Sequence, residues 1–234
     1  MGDSSVLFVP GMLLDGRMYS GQIAALSPAH SCFVGDITRS DSIERLAQDL
    51  LADAPARFAL VGLSMGGIVA LEAYRQARER ITHLALLDTT PNADRPDRST
   101  LRLEQIAAVE RGELSVLLQS SLKPQYLAAS NRQATALLQP ILQMGLDLGP
   151  AVFRRQSLAL RSRRCNRDLL PSIDCPTLVL CGREDLLCPV DVHLEMAALI
   201  PRADLTVLSG AGHLSAMEAP EAVTAALQHL LRRT

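Results

Sequence analysis

The sequence predicts an α/β fold, a mostly parallel six-stranded sheet flanked by helices. Three observations predict it. Short aliphatic and β-branched runs alternate with amphipathic helical patterns, as in parallel sheets covered on both faces. One internal stretch breaks that alternation and carries helical patterns alone. The pentapeptide Gly62-Leu63-Ser64-Met65-Gly66 stands where a strand pattern passes directly into an apolar helix.

In order, strands are expected at residues 6–9, 32–36, 58–63, 83–88, 177–181 and 205–208. After the second strand, Ile43, Leu46, Ala47, Leu50 and Leu51 recur at the spacing of an amphipathic helix, with Asp41 and Glu44 bracketing its start as a capping box. After the third, Gly67-Ile68-Val69-Ala70 opens a buried helix. Between Pro91 and Pro171 there are helical patterns at 101–109 and 114–118 and no convincing strand, so residues 91–171 are predicted to form a helical cap inserted in a core of 1–90 and 172–234. The insertion's polar, proline-broken start (91–98) and basic close (161–168) read as exposed hinges. The final helix opens at Pro220 and places Val223, Leu227, Leu230 and Leu231 on one stripe.

Composition fits a compact enzyme. The chain has 234 residues, 48% of them hydrophobic, and a net charge of -2 that gives no electrostatic reason to expect nucleic acid or anionic lipid as a partner. No apolar stretch approaches the roughly 18 residues needed to span a bilayer. The start, Met1-Gly2-Asp3-Ser4-Ser5, has no basic region before the apolar run at 6–9, which stops at Pro10-Gly11, so it does not read as a secretory leader. Five cysteines at irregular spacing imply reduced thiols in a cytoplasmic protein, and the Cys181 to Cys188 interval matches no metal motif. No metal or cofactor is called for; the expected partner is a small-molecule substrate, and the expected state a monomer or small homo-oligomer.

A serine hydroxyl is a weak nucleophile at neutral pH and needs a base that a carboxylate orients. Asp185 follows the strand at 177–181, and His213 follows the strand at 205–208 in the glycine-rich Ser209-Gly210-Ala211-Gly212-His213. Asp88, at the end of the 83–88 strand, is the rival acid. The order Ser, Asp, His differs from those of chymotrypsin-like and subtilisin-like enzymes.

With these pieces, and with Glu218-Ala219-Pro220-Glu221 after the histidine, nearly the whole chain resembles the α/β-hydrolase superfamily, in its branch of small, capped, single-domain enzymes. The resemblance implies Ser64 as nucleophile, His213 as general acid and base, Asp185 as orienting acid, and an oxyanion hole from the backbone N–H groups of Met12 and Met65. Two departures stand out. The first two of the family's usual eight strands are lacking, and Val9-Pro10-Gly11-Met12 carries Pro10 where relatives commonly have histidine.

The implied activity is hydrolysis of a small carboxylic ester, thioester or lactone through an acyl-enzyme. A lyase or carbon–carbon bond hydrolase acting on a carboxylated substrate is the alternative, and a non-catalytic ligand receptor a third reading. Among the arginines Arg154, Arg155, Arg161, Arg163, Arg164 and Arg167, any could meet an acidic substrate. With 3% aromatic residues, an aliphatic pocket is expected, to which Met12, Met65 and Met144 are candidates.

Overall fold

Six aliphatic runs pair into one parallel sheet in the computed structural model, which describes residues 4–122 and 125–234. Met1-Gly2-Asp3, part of the leader argument, lies outside the described residues. The strands are β1 (Ser4–Val9), β2 (His30–Val34), β3 (Phe58–Leu63), β4 (Ile81–Leu87), β5 (Thr177–Gly182) and β6 (Ala203–Leu208), in the order β2-β1-β3-β4-β5-β6. Side chains alternate between two cores, as the period of two demands. Leu7, Val9, Leu60, Leu84, Leu86 and Val179 pack on α2 (Ile43–Asp53), α3 (Met65–Ala77) and α7 (Val190–Leu199). Val6, Phe8, Val61, Leu87 and Leu180 pack on α1 (Ser20–Leu26) and α9 (Pro220–Leu231). None of the described helices is long and apolar enough to cross a membrane.

The strand order reverses between β1 and β3: the chain leaves β1 for one neighbour, β2, and returns on its other side. The crevice beyond their carboxyl ends is where open α/β sheets hold ligands, and it receives both the first loop and Ser64.

Several expected boundaries shift. The second strand lies at His30–Val34 rather than 32–36, because pairing with β1 runs from Ser4 opposite His30 to Phe8 opposite Val34. The fourth ends at Leu87, and Asp88 turns away with φ +45°. Ser42, not Asp41, caps α2: its Oγ accepts the Arg45 N–H and donates to Glu44.

Between β4 and β5 lie α4 (Pro96–Glu110), α5 (Leu114–Leu117), a π-helical turn at Leu118–Leu122, and α6 (Thr135–Ser162), which breaks at Gly149 before Pro150. These helices share a small core of Ile106, Val109, Leu114, Leu118, Val152 and Phe153, into which the first loop inserts Leu13. The ends of the segment are mostly exposed, as expected, but they are tied to each other. Asn166 is buried and donates its N–H to the Pro91 carbonyl, and Arg163 reaches the Asn92 carbonyl and the Asp94 carboxylate. Asp94, Arg163 and Asn166 thus stitch the two ends together while the polar residues around them stay in solvent.

The turn from β3 to α3 leaves no room for side chains beside Ser64. A Cβ on Gly66 would lie 2.0 Å from the Val9 carbonyl oxygen, and one on Gly62 would lie 2.4 Å from that of Gly66. Both obstacles are backbone. Gly66→Ala is therefore expected to lose about 1–3 kcal/mol or more, read as a lowered urea midpoint. Gly21, where an added Cβ would meet nothing nearer than the Pro220 Cβ at 3.4 Å, tolerates the bulk that Gly66 does not. An unchanged midpoint in Gly66→Ala would contradict the close approach.

Candidate active site

Ser64 precedes α3 with φ 55° and ψ -118°, a conformation that costs an L-residue about 1–3 kcal/mol and persists only where its surroundings impose it. Those surroundings are identifiable. The Ser64 N–H donates to the Leu87 carbonyl, and the Ser64 carbonyl accepts from Thr89 Oγ1 at 2.7 Å. Thr89 is fixed in turn, its N–H donating to Nε2 of His193 at 3.0 Å. That acceptor role leaves the His193 proton on Nδ1, facing the Pro189 carbonyl, and burial lowers the imidazole's pKa. His193, read from the sequence only as a helical residue, is a neutral brace two bonds behind the serine.

The three residues the sequence singles out for chemistry converge. His213 Nε2 lies 2.8 Å from Ser64 Oγ, and His213 Nδ1 lies 2.8 Å from Asp185 Oδ2. Asp185 and His213 are 4% and 3% exposed. The second Asp185 oxygen accepts the N–H groups of Leu187 and Cys188, so the carboxylate is satisfied on both sides. Burial pulls the His213 pKa down, but the charge and hydrogen bond of Asp185 outweigh it, and the net shift is upward. The histidine loop is seated from below. The His213 N–H donates to the Tyr126 carbonyl, and Glu218 accepts from Gly212, Ala128 and Asn131.

Asp88 does not contact His213. Its carboxylate accepts the Gly182 N–H at 2.9 Å, the Ser215 N–H at 3.1 Å and the Ser215 hydroxyl at 2.5 Å. It ties the end of β4 to the loops that carry Asp185 and His213. Burial and the nearby Asp185 charge push its pKa up to about 8, against the pull of His213 and these donors. Glu184 likewise faces elsewhere, accepting the Ala129 N–H.

Met12 and Met65 line one cavity of about 730 Å³ together with Ser64 and His213. Met65 opens α3, so its N–H is among the first-turn donors without an intrahelical partner. The first loop is shaped without a histidine at Pro10. Tyr19 donates its hydroxyl to the Val9 carbonyl, and Leu13, at φ 52°, donates its N–H to Oε1 of Gln156 at 2.8 Å. Gln156, fully buried on α6, also donates to the Ile37 carbonyl. No sequence signal marked it.

The cavity wall is mixed, with an aliphatic part that includes Leu14, Ile68, Leu117 and Leu122 and a polar part that includes Asn92, Gln105 and several arginines. Met144 is absent from it and packs in the core beneath β3 and β4. Of the six arginines considered from the sequence, Arg163 alone reaches the wall. Arg154, Arg155, Arg164 and Arg167 are held by Glu110, the Thr38 carbonyl, Glu44 and Glu195. Arg95, Arg98 and Arg102 line it instead, from the segment's opening that had read as a linker.

Among the described residues, Asp185, Cys188 and His213 offer ligand atoms within 4.8 Å of one another. As a donor set for a metal they fit poorly. Asp185 and His213 already bond each other, and burial raises the Cys188 pKa well above the ordinary thiol value, opposing the thiolate a metal requires.

Residues 6–226 match the model of the Alpha/beta hydrolase family. A pimeloyl-[acyl-carrier protein] methyl ester esterase from Nitrosomonas europaea is 28% identical over 77% of this chain and 74% of its own length. A malate-bound thermophilic esterase from Thermogutta terrifontis superposes with TM-score 0.89 at 30% identity, over 98% of this chain and 89% of that one. An enol-lactonase from Burkholderia xenovorans shares the fold with TM-score 0.88 at 22% identity, over 100% and 93%.

Gln156→Leu keeps the volume but leaves the Leu13 N–H and the Ile37 carbonyl buried and unpaired. It is expected to cost about 1–3 kcal/mol for each group so stranded, measured by urea denaturation. Retention of full stability would show that the loop does not depend on α6.

Proposed function

This chain belongs to the alpha/beta hydrolase family, and on that premise we propose that it cleaves a small carboxylic ester through an acyl-enzyme on Ser64. Thioesters and lactones are substrates for the same parts. The observation that carries the reading is the pair of 2.8 Å contacts linking Ser64 Oγ to His213 and His213 to Asp185 at the wall of a cavity with a substantial aliphatic part. The names borne by the 28% and 30% identical relatives, both esterases, support it.

In this mechanism His213 Nε2 takes the Ser64 proton as Oγ attacks the ester carbonyl carbon. The developing oxyanion is met by the backbone N–H groups of Met12 and Met65, and each such donor is worth about 2.7–4 kcal/mol in the transition state. His213 then returns the proton to the departing alkoxide, leaving the acyl group on Ser64. It next takes a proton from water attacking that acyl carbon, and gives it to Ser64 Oγ as the acid leaves. Asp185 holds the imidazole with its proton on Nδ1 and offsets the charge of the imidazolium. Residues 91–171 serve as the cap that excludes water and shapes the acyl site. A rival reading, a lyase or carbon–carbon bond hydrolase on the same three residues, draws support from the arginines in the wall.

Two measurements test this. A fluorophosphonate probe is expected to label the folded protein and to lose labelling in Ser64→Ala; an unlabelled folded protein would overturn the reading. A panel of p-nitrophenyl esters of increasing chain length separates esterase from lyase, since the rival predicts turnover no faster than in Ser64→Ala.

The pH profile gives a further check. The base must be neutral, and the His213 pKa is raised above 6.5, so kcat/KM is expected to climb with pH along a limb centred above that value. Asp185→Asn removes the cause of the rise, moving the midpoint down and cutting kcat by about 10⁴-fold. A limb centred below 6.5 in the parent enzyme would contradict the assignment.

A further inference from the structure

The start of α4 carries charge of the wrong sign for a helix. The positive end of the helix dipole lies at the N-terminus, where carboxylates stabilise and cations do not. Yet Arg95 caps α4, Arg98 lies in its first turn and Arg102 follows one turn later, and all three line the cavity that contains Ser64 and His213. Arg98 and Arg102 stand four residues apart, the spacing at which like charges on a helix repel.

The neighbours account for two of these charges. The Asp94 carboxylate, with its side chain 3% exposed, takes Arg102 Nε at 2.8 Å and Arg163 Nη1 at 2.9 Å, so this trio keeps one positive charge over. Arg95 pairs with Asp97. Among the described residues, no carboxylate forms an ion pair with Arg98, and its guanidinium makes no hydrogen bond within the protein. The wall as a whole sets four arginines against two aspartates, Asp94 and Asp191. The surplus is felt at the chemistry: the Arg98 charge is one of the influences pulling the His213 pKa down.

A half-buried guanidinium without a partner, beside a paired one, is a receptor for a planar anion. Its fork of N–H donors matches a carboxylate in two parallel bonds, and the apolar wall around it strengthens the attraction. We propose that Arg98, backed by the Arg102–Asp94–Arg163 cluster, is a carboxylate-binding subsite, and that the substrate is the half-ester of a dicarboxylic acid. The ester end meets Ser64 while the free carboxylate is held by Arg98, so the chain between them lies along the aliphatic wall. This rests on the reading of Ser64 as an ester-cleaving nucleophile.

The test compares the monomethyl and dimethyl esters of the four- to seven-carbon linear dicarboxylic acids. At the best-fitting length, kcat/KM for the half-ester is expected to exceed that for the neutral diester by about tenfold or more, the worth of one charged hydrogen-bonded contact. Arg98→Ala should collapse that ratio towards one, chiefly through KM, and Arg98→Lys should restore part of it. Arg154→Ala, which removes an arginine outside the cavity, should leave the ratio unchanged. A parent ratio of one or below, or a ratio that survives in Arg98→Ala, overturns the proposal.

Calorimetry with the free dicarboxylates on Ser64→Ala separates the subsite from the hydrolase reading. Binding that is lost when Arg98→Ala is added supports the subsite even if no ester is turned over, in which case only the hydrolase reading falls. Absence of binding at every length, together with no preference for half-esters, removes the subsite and leaves the hydrolase reading standing on its own tests.

Discussion

The close approach of two backbones at Gly66 and Val9 is the constraint on which the rest of the site depends. With 2.0 Å between a notional Gly66 Cβ and the Val9 carbonyl, the first turn of α3 rests directly on the end of β1. That contact sets the first loop beside the serine turn, so that Met12, Ser64 and Met65 face one cavity. It also forces Ser64 out of the ordinary backbone regions, and the strain is held by the Leu87 carbonyl, Thr89 and, behind it, His193. Strain of this size persists only where the surroundings over-determine it, as they do here.

Buried polar struts carry that arrangement to the other two loops. Asp88 joins the Gly182 and Ser215 backbones, fixing the loops of Asp185 and His213 relative to the end of β4. Gln156 joins α6 to Leu13 and Ile37, and Glu218 joins the histidine loop to residues 128 and 131. In each case one side chain satisfies several backbone groups that burial would otherwise leave unpaired, which makes these residues expensive to remove. The helical segment between β4 and β5 is thus wired to the loops of the sheet by hydrogen bonds from residues 126–131 and from Gln156, and its two ends are joined to each other. Leu13, which lends its side chain to the segment's core, makes the same connection through apolar packing.

The fold was largely legible in the chain because parallel strands covered on both faces must be apolar throughout. Apolar runs of that kind mark the inner strands β1, β3, β4 and β5, and shorter ones mark the edges β2 and β6, with turn residues between. Edges were less legible: β2 begins at His30 because its register follows β1, and register is a property of the partner strand. The long helix α6 was hidden by Pro140, Gly149 and Pro150, which read locally as breakers and prove compatible with a kinked helix. For the site, Ser64, Asp185 and His213 stood out because each occupies a strand end with a distinctive setting of small residues or turn. Gln156, His193 and Asp94 did not, since a polar residue in a helix or a loop looks the same whether it faces water or a buried partner. The arginines at 98 and 102 did leave a trace, two cations one helical turn apart near the start of a helix, but a charged run at a helix end is ordinarily solvated.

By itself the sequence determined the class of fold, the order of strands and helices along the chain, and the three side chains that meet, because these depend on local periodicity and on the turn chemistry of strand ends. Tertiary structure decided which carboxylate faces His213, which polar groups hold the first loop, and which arginines reach the cavity. Those are questions of direction in space between residues as far apart as Leu13 and Gln156, and chain order says nothing of direction until the sheet and the helices packed on it fix their positions.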